Sequence, residues 1–85
     1  MSIGEIFRSE RIKKDITIQE LADKVKLSRM TILRIEEDRS SQLLFENVVN
    51  LCDVLKIDIS KIVEAYKGDK YEYGNYRESY KIFTT

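Results

Sequence analysis

Arg29, Met30, Thr31, Leu33 and Arg34 crowd six positions with side-chain types that can read the edges of DNA bases. An arginine grips guanine O6 and N7 bidentately, and a Met or Thr methyl packs against the thymine methyl. An isolated helix arginine is merely solvated, so the elements that carry these residues decide what they are for. Enzyme chemistry finds little here. The 85 residues include no His and one Cys, and the three glycines, Gly4, Gly68 and Gly74, form no phosphate-cradling loop. A thiolate metal cluster is excluded with them, and no metal or other cofactor is expected. Adjacent acids such as Glu36 and Glu37 occur on any charged surface, and the chain is not expected to be an enzyme.

The reading residues sit on the second of two short amphipathic helices. The first begins at Thr17, whose hydroxyl caps the next turn, with Glu20 completing a capping box. Ile18, Leu21, Ala22 and Val25 recur on it at helical spacing. The second begins at Ser28 and turns Ile32 and Ile35 to one side, leaving the reading residues on or near the other. Leu33 is ambiguous: it either faces outward, towards a thymine methyl or a protein, or is half-buried by a small rotation of the helix. Only Lys26 and Leu27 separate the helices, so they cross steeply. That is a helix-turn-helix, whose second helix usually enters a major groove. Phosphate contacts are expected at its edges, where helix starts and backbone amides attract anions. Thr17, Gln19, Lys26, Ser28, Arg39, Ser40 and Ser41 stand there, Arg39 foremost and Lys26 next, although capping alone accounts for Thr17 and Ser28.

Around this motif the apolar spacing predicts a first helix over about 2–14, with Ile3, Ile6 and Phe7 inward and Arg8, Lys13 and Lys14 outward. Asp15 ends it. The motif helices span about 17–25 and 28–37, and the polar 38–42 is a loop. A fourth helix over about 43–55 carries Phe45, Val48, Val49, Leu51, Cys52 and Leu55. A fifth follows Asp58 or Ser60, with Ile59, Ile62 and Val63. Cys52, among apolar neighbours, reads as a small core hydrophobe.

These residues also resemble a known family. Leu21-Ala22, Val25, Leu27, Ser28-Arg29, Ile32 and Arg34-Ile35-Glu36 are similar to the Cro/phage-repressor (XRE) helix-turn-helix family. Ile3-Gly4, Phe7, Arg11, Leu51, Leu55 and Ile57 extend the likeness over about residues 2–65. The resemblance implies an all-α, compact five-helix, lambda-repressor-like DNA-binding domain with a short tyrosine-rich extension. It places Arg29, Met30 and Arg34 where base-reading side chains lie. It also pairs Arg11, on the first helix, with Glu36 as an architectural ion pair. Four positions depart from the family pattern. Ile18 stands for a Gln, Lys26 for the turn glycine and Asp38 for the glycine after the second helix, and a later proline is missing. Lys26 must then adopt a left-handed conformation that is uncommon outside Gly.

The expected division is a helix-turn-helix domain over 1–65 and an extension over 66–85. All five tyrosines lie in the extension, and Gly68 marks a break. Gly74-Asn75 signals a hairpin, whereas Tyr73, Tyr76 and Tyr80 fall at helical spacing, and a partly disordered tail is the third reading. No run approaches a membrane span, the first residues lack a signal-peptide pattern, and Cys52 has no internal disulfide partner, so a cytoplasmic protein is expected. The formal net charge of zero predicts modest affinity per subunit and leaves a local basic face to neutralise phosphates. The expected function is sequence-specific transcription regulation, as a repressor bound to double-stranded DNA as a homodimer on a palindromic operator. The alternative is a protein-interaction module or antitoxin that engages a protein through the extension or the recognition helix.

Overall fold

The computed structural model describes residues 1–40 and 43–70. Within them run α1 (Ile3–Lys13), α2 (Ile18–Val25), α3 (Arg29–Glu36), α4 (Phe45–Leu55) and α5 (Ile59–Lys70). The all-α, five-helix expectation holds for these residues.

Local chemistry sets most helix starts. Ser2 Oγ accepts from the Glu5 amide while the Ser2 amide donates to Glu5 Oε1, both at 3.1 Å. Thr17 and Glu20 repeat this reciprocal box at the head of α2, again at 3.1 Å. The hydrogen bond from the Ser2 amide, foremost, holds the Glu5 carboxyl below its ordinary range, and that from the Thr17 amide does the same for Glu20. Asp58 Oδ1 accepts from the Ser60 amide at 3.0 Å, which places the start of α5 after Asp58.

Four helices end alike. Asp15, Lys26, Asp38 and Lys56 all take the left-handed conformation, with φ of 57°, 58°, 58° and 56°. The amide after each reaches back five residues: Ile16 to Arg11, Leu27 to Ala22, Arg39 to Arg34 and Ile57 to Cys52, at 2.8–3.1 Å. This is the Schellman closure, normally built on glycine. Three of the residues after the turn, Ile16, Leu27 and Ile57, are apolar and pack on the core. The fourth, Arg39, is exposed.

Lys56 lies outside the helix-turn-helix, so the cost of that conformation can be measured there alone. Left-handed geometry costs an L-residue roughly 1–2 kcal/mol, offset in part by the entropy that glycine loses on folding. Lys56→Gly is therefore expected to stabilise the domain by roughly 0.5–1 kcal/mol in chemical denaturation. An unchanged midpoint would show that the turn carries no such strain.

The core lies where the helices converge. Phe7, Leu21, Ile32, Leu51 and Leu55 are fully buried, with Ala22, Val25, Ile35, Val48, Cys52, Ile57 and Ile62 around them. Helix α3 packs on α1 and α2, while α4 and α5 close the opposite side against α1. Ile3 and Ile6 are partly buried against this cluster, as is Ile18, whose place the family gives to Gln. Burial pushes the Cys52 thiol up, the behaviour of an inert core side chain.

One expectation fails. Gly68 does not break the chain: α5 continues through it to Lys70. Glycine weakens a helix by only about 1 kcal/mol and keeps its amide, so a single one near an end is tolerated. The hairpin, helix or disorder readings of the extension beyond Lys70 fall outside the described residues.

Candidate nucleic-acid interface

The turn between α2 and α3 depends on Lys26. Its φ of 58° and ψ of 42° let Leu27 fold back over Ala22 and start α3 two residues later. Ser28 caps α3, accepting from the Thr31 amide at 3.1 Å. The Thr31 hydroxyl lies 2.8 Å from Ser28 Oγ, so its polar end is engaged and its methyl remains for contact.

Arg29, Met30 and Arg34 project from the exposed side of α3, with Met30 51% exposed. Met30 and Arg34 are four residues apart, as are Arg29 and Leu33, so each pair shares one helix face. Leu33 is half-buried, the second of its two readings, and Thr31 is likewise half-buried. Ile32, Ile35 and Glu36 turn inward.

The edge residues divide. Thr17 and Ser28 serve as caps. Gln19 Nε2 donates to Asp23 Oδ1 at 2.9 Å, along its own helix. Lys26 is exposed, Ser40 is half-buried, and Ser41 lies outside the described residues. Arg39 Nη2 donates to Glu37 Oε1 at 2.6 Å, and both side chains are largely exposed. Such a surface pair contributes about 0–1 kcal/mol, so a phosphate can displace the carboxylate at little cost.

Behind this face α3 is fastened to α1. Arg11 Nε donates to Glu36 Oε2 at 2.7 Å and Nη2 to Glu36 Oε1 at 3.1 Å. Nη1 donates to the Ile16 carbonyl at 2.9 Å, tying in the turn before α2. Arg11 is 9% exposed and Glu36 6%, so a bidentate pair is fixed away from water and from the reading face.

Sequence reasoning missed two features. Leu44 and Phe45, at the start of α4, are exposed, Phe45 at 73%; an apolar run gives no cue to which side is covered. Asp38 bonds the head of α1 through the Gly4 amide at 2.9 Å and through the Ser2 hydroxyl. The S-x-x-E pattern at Ser2 signals the cap, but nothing in the sequence signals its partner 36 residues away.

Among the described residues no cluster of His, Cys, Asp or Glu could hold a metal ion, and no helix is long and apolar enough to cross a membrane.

The sequence model of the Helix-turn-helix family (HTH_3) matches residues 7–62. Curated protein sequences return no match. Among solved structures the chain is similar to SinR, the master regulator for biofilm formation, in complex with DNA. That likeness has 20% identity and a TM-score of 0.66, covering 72% of this chain and 97% of that one. It is also similar to the clp gene regulator ClgR from Corynebacterium glutamicum, at 20% identity and a TM-score of 0.69, over 94% of this chain and 84% of that one. A SinR–SinI protein complex matches at 17% identity and a TM-score of 0.68, over 96% and 79% of the two chains. At these identities the likeness establishes the fold.

Proposed function

The chain belongs to the Helix-turn-helix family, and from that membership we propose that it is a DNA-binding transcription regulator that reads the major groove with α3. The observation that carries this reading is the exposed set Arg29, Met30 and Arg34 on a helix whose opposite side is buried in the core. The SinR structure resembling this chain is a DNA complex, which supports the same reading. Arg29 and Arg34 grip guanine edges, while Met30, with the Thr31 methyl and Leu33 beside it, packs on thymine methyls. Thr17, Gln19, Lys26, Ser28, Arg39 and Ser40 border this face and contact phosphates, Arg39 by exchanging Glu37 for the backbone.

The protein acts as a homodimer in the cytoplasm, repressing from a palindromic operator. Two recognition helices related by a twofold axis stand one helical turn apart, about 34 Å, which fits such a site. The exposed Val63 and Tyr66 on α5 offer the apolar dimer surface. The interaction-module alternative keeps one supporting observation: a chain of this fold is known in complex with another protein, SinI.

Selection of bound duplexes from a random pool tests the reading. The wild-type chain is expected to yield a palindromic consensus, and Arg29→Ala and Arg34→Ala each to weaken binding to it by about 1–3 kcal/mol with the fold intact. Binding without a consensus, falling steeply with salt, would mean backbone attraction only and would favour a protein partner.

A further inference from the structure

Asp38 is the odd member of the four left-handed turns. Asp15, Lys26 and Lys56 are each followed by an apolar residue that packs on the core and fixes the direction of the chain. After Asp38 comes the exposed Arg39, so that apolar contact is missing at the end of α3. The Asp38 side chain replaces it. Oδ1 accepts from the Gly4 amide at 2.9 Å, and Oδ2 accepts from the Ser2 hydroxyl, both at the positive end of α1. The same Ser2 oxygen caps Glu5, so the clamp and the capping box share one atom. The backbones meet so closely that a Cβ on Gly4 would lie within 3.0 Å of the Ile35 and Glu36 carbonyl oxygens.

We propose that Asp38 is a positioning residue for DNA recognition: its carboxylate, bound to Ser2 and Gly4, sets the angle at which α3 presents Arg29 and Arg34. The inference rests on the DNA reading above and assigns part of its specificity to a side chain that touches no base. Glu36 fixes the last turn of α3 to Arg11, near the far end of α1. Ile32 and Ile35 seat α3 in the core and the ion pair holds its last turn at one point of α1; the second polar anchor, at Ser2 and Gly4, sets the angle between the two helices. Non-specific phosphate binding tolerates a small tilt of α3. Bidentate base contacts do not.

Two substitutions separate positioning from folding. Asp38→Gly keeps the left-handed backbone without strain and deletes the clamp. Asp38→Asn also tolerates that backbone and retains an oxygen for the Gly4 amide, while the Ser2 hydroxyl can turn to accept from the new amide. Affinity is measured for the selected duplex and for a scrambled one, and the α1–α3 angle of the free protein by amide residual dipolar couplings. Asp38→Gly is expected to cut the preference for the selected duplex about tenfold, leave scrambled binding unchanged and rotate α3 against α1. Asp38→Asn is expected to restore both preference and angle. An unchanged angle in Asp38→Gly, or equal losses on both duplexes, overturns the proposal. A rotated α3 alongside a wild-type chain with no duplex preference overturns the DNA reading and leaves Asp38 as an architectural clamp.

Discussion

Glu36→Ala is expected to lower the unfolding free energy by about 3–5 kcal/mol, the largest loss from any single polar substitution in this domain. The reason is what the change leaves behind. Arg11 would keep its bond to the Ile16 carbonyl and lose both bonds to Glu36, stranding a charge that is 9% exposed. Domains of this size have about 5–15 kcal/mol in total, so roughly a fifth or more of the stability is at stake. The midpoint of thermal unfolding should fall by about 15–30 °C. Replacing both partners isolates the cause: Arg11→Met with Glu36→Leu removes the charge as well as its partner and should recover most of the loss. Urea titration of the three variants is the measurement. A loss below about 1 kcal/mol in Glu36→Ala would show that water reaches the pair and that the bridge is an ordinary surface contact.

Gly4→Ala is the second large effect, expected to cost about 3 kcal/mol, the upper end for overpacking. The added methyl would meet two backbone carbonyl oxygens and the Asp38 carboxylate, all inside 3.0 Å. Carbonyls within α3 cannot yield as a flexible side chain does; the whole helix must shift, dragging Ile32 and Ile35 out of register with the core. Gly68→Ala is the internal control. A Cβ at position 68 meets nothing within 4 Å, so the change should raise stability by up to about 1 kcal/mol through helix propensity. Equal effects at the two positions would mean that α1 and α3 sit farther apart than the structure places them.

The two glycines show where sequence reading reached its limit. Gly68 looked like a break and is plain helix; Gly4 looked like one position in a family pattern and is a point of contact between backbones. Both have the same side chain, and only the neighbours distinguish them. The left-handed turn at Lys26 was foreseeable, because a residue standing at a turn glycine inherits that backbone. The matching turns at Asp15 and Lys56 give no comparable sign, since Asp and Lys occur on any surface.

The sequence by itself determined the local order of this protein: where the two motif helices begin, through Thr17 and Ser28, and the apolar stripes of those helices that enter the core. Those properties follow from hydrogen bonds spanning three residues and from a fixed helical period, and both are written in adjacent letters. The helix-turn-helix is legible for the same reason, being two such periods joined by a short turn. Tertiary structure alone decided how α3 is held. The clamp of Asp38 on Ser2 and Gly4 joins groups more than thirty residues apart, and the half-burial of Leu33 and the exposure of Phe45 depend on which surfaces meet. No local propensity encodes such a meeting. It is set when the apolar faces of all the helices are buried together, and the polar groups left at their edges must then find partners or face water.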